Sequence, residues 1–154
     1  MSVTMSPFNA MDEKTVKHME FIQAVITRMS GNSFLIKGWT VTIAAALFAL
    51  AGASAKPVII LIVLLPALSF WGLDAYYLRQ ERLFRALYND VRLSVVKGNQ
   101  AQIVEPFSLS TTKYQSQISS WFGVLWSPTV FAFHGVIVGA TGLVFLITFL
   151  SSKT

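Results

Sequence analysis

The chain of 154 residues contains no cysteine, which excludes disulfides, thiolate metal sites and cysteine nucleophiles. It is also short of charge. Asp, Glu, Lys and Arg make up 12% of it, against about 25% in an average soluble domain, so a water-facing surface is hard to build. His18 and His134 are its two histidines. Neither has a carboxylate or a second imidazole at ligand spacing on a confident helix, so no metal site within one chain is expected. The sequence lacks GxGxxG, Walker, HExxH and GxSxG motifs, and neither an enzyme nor a cofactor is expected. The first 35 residues lack the apolar core of a signal peptide. The mature chain is therefore expected to start at or near Met1, with the first span as its own insertion signal.

What the sequence has in quantity is apolar residues, 54% of the total, gathered into blocks. Blocks of this length point to membrane spans rather than to a soluble core. The chain is one domain's worth of material, residues 1–154. Its reading is an all-α integral membrane protein with about three transmembrane helices, the second extended as a long cytoplasmic helix that packs on an N-terminal amphipathic helix.

Residues 1–11 read as a loose start. Residues 12–29 then carry Val16, Met19, Ile22, Ile26 and Met29 at three- and four-residue steps, the spacing of one helix face. This helix either packs on the rest of the protein or lies in the membrane interface. Ser30-Gly31-Asn32-Ser33 reads as a break. Residues 35–53 are the first span, about 28 Å long at the helical rise. Lys37 and Trp39 stand at its start, where a snorkelling cation and an interfacial aromatic belong. Ala45, Ala49 and Ala53 fall at four-residue steps and let another helix approach closely.

Pro57 suits the first turn of a second span, 57–77, which Pro66 should kink. Residues 74–97 contain neither Gly nor Pro, so the helix should continue beyond the membrane through 78–97. Phe84, Leu87, Tyr88, Val91 and Val95 form an apolar stripe there that needs a partner, and the 12–29 helix is the obvious one. Residues 98–120 are polar and read as a loop with at most one short turn. Pro128 divides the last apolar block into an approach, 121–127, that crosses or lies on the membrane, and a third span, 129–150.

Two sets of residues in the spans attract attention. Asp74 lies near the membrane boundary with Lys37 and Arg79, either as a helix-end carboxylate reaching water or as a buried partner that fixes the helices. On the third span Ser127, His134, Thr141 and Thr148 recur every seven residues and so fall within about 60° of one another. Gly135, Gly139 and Gly142 line the adjacent face, and Gly135-x-x-x-Gly139 matches a close-packing motif. This face packs on the chain's own spans, meets other copies and lines a pore, or holds His134 as a proton relay.

Ten of the twelve cations fall in residues 1–37 and 74–120. The positive-inside rule then places both segments in the cytoplasm of a bacterial inner membrane, with the C-terminus outside. The net charge of +5 flanks the apolar blocks, which argues against nucleic acid as a partner.

The run FWGLDAYYLRQERLFRALYNDVR at 70–92, following NSFLIKGWTVTIAAAL, resembles a widespread family of small, uncharacterised prokaryotic membrane proteins. The likeness covers residues 15–150 and implies topology rather than an activity. The plan of an N-terminal helix, a transmembrane hairpin and a long cytoplasmic helix is also similar to the SLATT-type membrane effectors of bacterial defence systems, although the third span departs from it. That resemblance implies homo-oligomerisation, membrane damage and a role in antiviral defence.

The expected function is a homo-oligomeric inner-membrane protein that forms a pore or perturbs the membrane under control of its cytoplasmic helices. The alternative is a non-conducting scaffold or accessory subunit that anchors a partner through the 79–97 stripe. Expected partners are the lipid bilayer, further copies of the chain, and a cytoplasmic protein or small-molecule signal.

Overall fold

The computed structural model describes residues 13–54, 57–96 and 107–151, with the backbone alone at 52–54, 57–59 and 96. The expected loose start and residues 97–106, which include the first part of the expected 98–120 loop, lie outside the described residues. The described chain is all-helical: α1 (Glu13–Ser54), α2 (Pro57–Val96), a 3₁₀ turn (Thr112–Tyr114), α3 (Trp121–Leu125) and α4 (Pro128–Ser151). By length and composition α1, α2 and α4 are each able to cross a membrane.

The expected break at Ser30–Ser33 does not occur, because α1 runs through it. Local preference against Gly and Asn in a helix is only about 1 kcal/mol per residue. Ser33 is buried and hydrogen-bonded, and tertiary contact of this kind readily overrides so small a preference. The single long second helix is present, with Pro66 inside it. Pro128 opens α4 at the first helical position, where its missing N–H is harmless. Ser120 caps α3 by accepting from the Gly123 N–H.

The chain forms two compact units. One takes residues up to Met29 and Gln80–Ile118; the other takes Ser30–Arg79 and residues from Ser119 onward.

The first unit has an apolar seam. Ile22 and Ile26 of α1 meet Leu83, Leu87 and Val91 of α2, with Tyr114 closing the cluster. Of the sequence's apolar stripe, Leu87 and Val91 are buried here, while Phe84, Tyr88 and Val95 are half-buried. The stripe and the 12–29 helix thus cover each other. The loop is tied on at two places. His18, itself buried, donates from Nε2 to the Ser108 carbonyl at 2.9 Å. The Asp90 carboxylate accepts from Lys113 at 2.9 Å and from the Tyr114 hydroxyl at 2.7 Å. Phe107 adopts a left-handed φ of 65°, and its ring lies against those of His18 and Phe21.

The second unit is built the other way round. Most large apolar side chains of its helices point away from the chain, and at most a third of each span's most apolar stretch is covered. The inward stripes follow three-, four- and seven-residue steps. They are Ser33, Thr40, Ala44 and Ala51 on α1; Ile60, Val63, Ala67, Trp71 and Asp74 on α2; and Val130, His134 and Thr141 on α4. Spacing of this kind gives the seam of packed helices, and each of these seams contains polar residues.

Candidate functional site: a buried carboxylate shared by three helices

Asp74 is the centre of the second unit. Its side chain is fully buried, although it stands on a helix whose neighbours are apolar. A buried carboxylate persists only when its charge and lone pairs are met, and here three helices meet them. From α1, Lys37 Nζ lies 2.6 Å from the carboxylate. Ser33, one turn earlier on α1, donates its hydroxyl to Asp74 Oδ1 at 2.5 Å and accepts from Lys37 at 2.9 Å. From α4, His134 Nε2 lies 3.1 Å from Asp74 Oδ2.

The helical spacing explains the arrangement. Ser33 and Lys37 are four apart and therefore share a face. Asp74 follows Trp71 by three, so the two project to the same side of α2. Trp71 donates its indole N–H to the Leu125 carbonyl at 3.0 Å, which joins α2 to the end of α3. Its ring lies parallel to the His134 imidazole, 8° apart with centroids separated by 6.2 Å. Trp121 donates to the Gly72 carbonyl at 3.0 Å. Val124 and Val130 fill the space beside Trp71 and Ala75. Residues 121–125 are thereby tied to α2 at Trp71 and Gly72, within one turn of the carboxylate.

The carboxylate accepts only, so the His134 nitrogen facing it carries the hydrogen. The other nitrogen, Nδ1, is buried and has no hydrogen-bond partner among the described residues; the same holds for Ser127 Oγ. Lys37, at 26% exposure, is the one member of the cluster open to its surroundings. No group of three or more metal-ligating side chains occurs among the described residues, and the ammonium of Lys37 already stands where a cation would bind.

Of the three charges singled out at the interface, Lys37 and Asp74 are paired and Arg79 is not part of the pair. Arg79 donates instead to the Ser119 carbonyl at 3.1 Å. The third-span face divides. Ser127, His134 and Thr141 are covered by the chain itself, while Thr148 is half-buried and donates to the Val144 carbonyl. Gly135 has the Phe131 ring of its own helix beside it, whereas Gly139 and Gly142 have open space around them. On α1 the inward small residues are Ala44 and Ala51. Ala45 and Ala49 point outward, and Ala53 lies where only the backbone is described.

Two members of the cluster carry no sequence motif. Ser33 reads as part of a turn, and the pairing of Asp74 with His134 spans 60 residues. The available signal was depth: Lys37, Asp74 and His134 all stand within about two turns of the same end of their spans. Comparison with protein-family models, curated proteins and solved structures returned no match, so the chain's own residues carry the functional reading.

Proposed function

We propose that the protein is a small integral protein of a bacterial inner membrane that self-associates through its third span and, once assembled, perturbs the bilayer. The basic segments 1–37 and 74–120 face the cytoplasm and the C-terminus faces outward. The unit containing the 12–29 helix and residues 80–118 is the part that receives a signal.

One observation carries this reading: the division of α4. Its polar side chains His134 and Thr141 turn inward, and the small residues Gly139 and Gly142 stand open. Between lipid-facing helices, small residues allow the close backbone approach that drives association. The division also changes the expected conduit. His134 and Thr141 are packed within the chain, so in this arrangement they would not line a passage between copies. The plan of the helices, similar to that of SLATT-type effectors, supports the same reading.

The test begins with mass. In nanodiscs the wild-type protein should give a defined assembly of four or more copies. Gly139→Leu and Gly142→Leu should reduce it to monomers without unfolding it, since a side chain at either position meets nothing within 4 Å of its Cβ. Ion leakage from liposomes should fall with assembly. A monomeric wild-type protein would overturn the reading.

A scaffold role has an observation of its own. Val16, Met19, Glu20, Gln23 and Tyr88 line an open groove on the first unit. Under that reading Tyr88→Asp, which leaves the buried seam residues in place, should release a cytoplasmic partner in pull-down.

A further inference from the structure

The cluster at Asp74 holds three ionisable groups but only one counter-ion. With Asp74 ionised, Lys37 charged and His134 neutral, its charges cancel. A buried cluster in low-dielectric surroundings keeps that balance, because an unpaired interior charge carries a large desolvation penalty. His134 nevertheless has a receptive atom: Nε2 faces Asp74 and Nδ1 has no hydrogen-bond partner among the described residues. A proton taken from water onto Nδ1 would leave the cluster with two cations and one anion.

The geometry shows how balance returns. His134 is already within hydrogen-bonding distance of Asp74, so as imidazolium it can serve as the sole cation. The parallel Trp71 ring at 6.2 Å sits close to the range of cation–π attraction, about 6 Å. Lys37 is the most exposed of the three, and its flexible stem can carry the ammonium out to the interface. Ser33 still donates to Asp74 after Lys37 has gone. The charged groups facing His134 are Asp74 from α2 and, through it, Lys37 from α1; α3 contributes none.

We infer that Asp74 is a counter-ion for which Lys37 and a proton on His134 compete, which makes the cluster a proton-binding site whose loading releases Lys37. In the neutral state the carboxylate ties α1 to α2 through an ion pair. In the loaded state the ion pair ties α2 to α4, and Lys37 leaves with its own proton. The exchange takes place within one subunit and does not depend on self-association, so the oligomer test above and the test below can fail separately.

The chain has two histidines, which makes the test direct. His18→Gln leaves His134 as the sole imidazole, and ¹⁵N-histidine NMR in nanodiscs follows its protonation between pH 8 and pH 4.5. If Lys37 competes, Lys37→Met in this background should move the His134 titration to higher pH by about one unit or more, at least a tenfold gain in proton affinity, as removal of a competing charge at contact distance requires. Should Lys37→Met fail to fold, Lys37→Gln, which keeps a donor for Ser33 and Asp74, decides by the same criterion. Equal midpoints with and without the lysine charge, or an imidazole that stays neutral over the whole range in the lysine-free variant, would overturn the proposal.

Discussion

The two units of this chain differ in what their seams contain and in what they leave exposed. In the unit of residues 13–29 and 80–118, aliphatic side chains are inside: Ile22, Ile26, Leu83, Leu87 and Val91. Its ion pairs Lys17–Glu20, Arg85–Glu81 and Lys113–Asp90 lie at the surface, each with at least one partner largely exposed. In the unit of residues 30–79 and 119–151 polar side chains join the apolar ones inside, and many large apolar side chains are exposed. Leu65, Leu68, Val136 and Leu146 point outward, and Asp74, His134, Thr40 and Thr141 lie inside. Water drives apolar groups together in the first case. Against lipid, which is as apolar as the side chains, no such force would act between the helices of the second, and small-residue packing and polar contacts would specify the arrangement. The difference supports the proposal that the second unit lies in a bilayer and the first in water.

The comparison breaks most sharply at Asp74. Asp74→Ala strands Lys37 and leaves His134 Nε2 without its acceptor. Removing one partner of a buried pair costs about 3–5 kcal/mol, and thermal or SDS-induced unfolding in detergent should show a loss of that order. The triple variant Asp74→Leu, Lys37→Leu, His134→Leu should recover much of it, because apolar replacement of a whole buried cluster is often neutral. If the single variant is as stable as the parent, the buried charges do not hold the spans together.

The matching change in the other unit is Leu87→Ala. Leu87 is fully buried in the seam, and truncation there costs about 2–5 kcal/mol for transfer and cavity together. Its effect should appear in hydrogen exchange of residues 80–96 and leave the amides of α4 unchanged. Loss of protection in both places alike would show that the two units unfold as one and that the contrast between them is only compositional.

Much of this was legible in the chain. Long apolar blocks, the absence of Gly and Pro over 74–97, and Pro128 were enough to read three helices long and apolar enough to cross a membrane, with one long second helix, because each is a local rule acting on many residues at once. The mutual covering of the 12–29 helix and the 79–97 stripe was readable for the same reason: both faces repeat at helical spacing. The readings that differed were those in which a single tertiary contact decides. Ser30–Ser33 has the composition of a turn, yet Ser33 is held in a helix by a carboxylate 41 residues away. The third span's two faces were correctly seen as polar and small, but which one turns inward depends on Asp74, on another helix. On α1 Ala45 of the expected alanine series is one residue away from the inward Ala44, a rotation of about 100° that composition alone does not resolve.

The smallest effect expected concerns the rim of the first unit, where the ion pairs are exposed and charge should matter least. Asp90 is held below the usual carboxylate range by hydrogen bonds from Lys113 and then Tyr114, against a lesser effect of burial. Its folded carboxyl is thus the stronger acid, so its stabilising contribution is complete above the unfolded value, about 3.9, and is lost as pH falls through the lower folded value. Tyr114 has the opposite sign. Burial first, and then the Asp90 carboxylate, push its phenol well above the ordinary range. Its contribution is complete below about pH 10, the unfolded value, and is lost as pH rises beyond it. Asp90 and Lys113 are 38% and 68% exposed, so screening by solvent should keep the ion pair below about 1 kcal/mol. Tyr114→Phe should therefore flatten the stability profile at the alkaline end and weaken the acid-side dependence only in part, since Lys113 remains. Thermal melts of the two proteins from pH 3 to pH 11 would check this. A Phe variant that melts with the parent's alkaline dependence would mean that the phenol is not held by Asp90, and that the rim of this unit is as loosely tied as exposed ion pairs usually are.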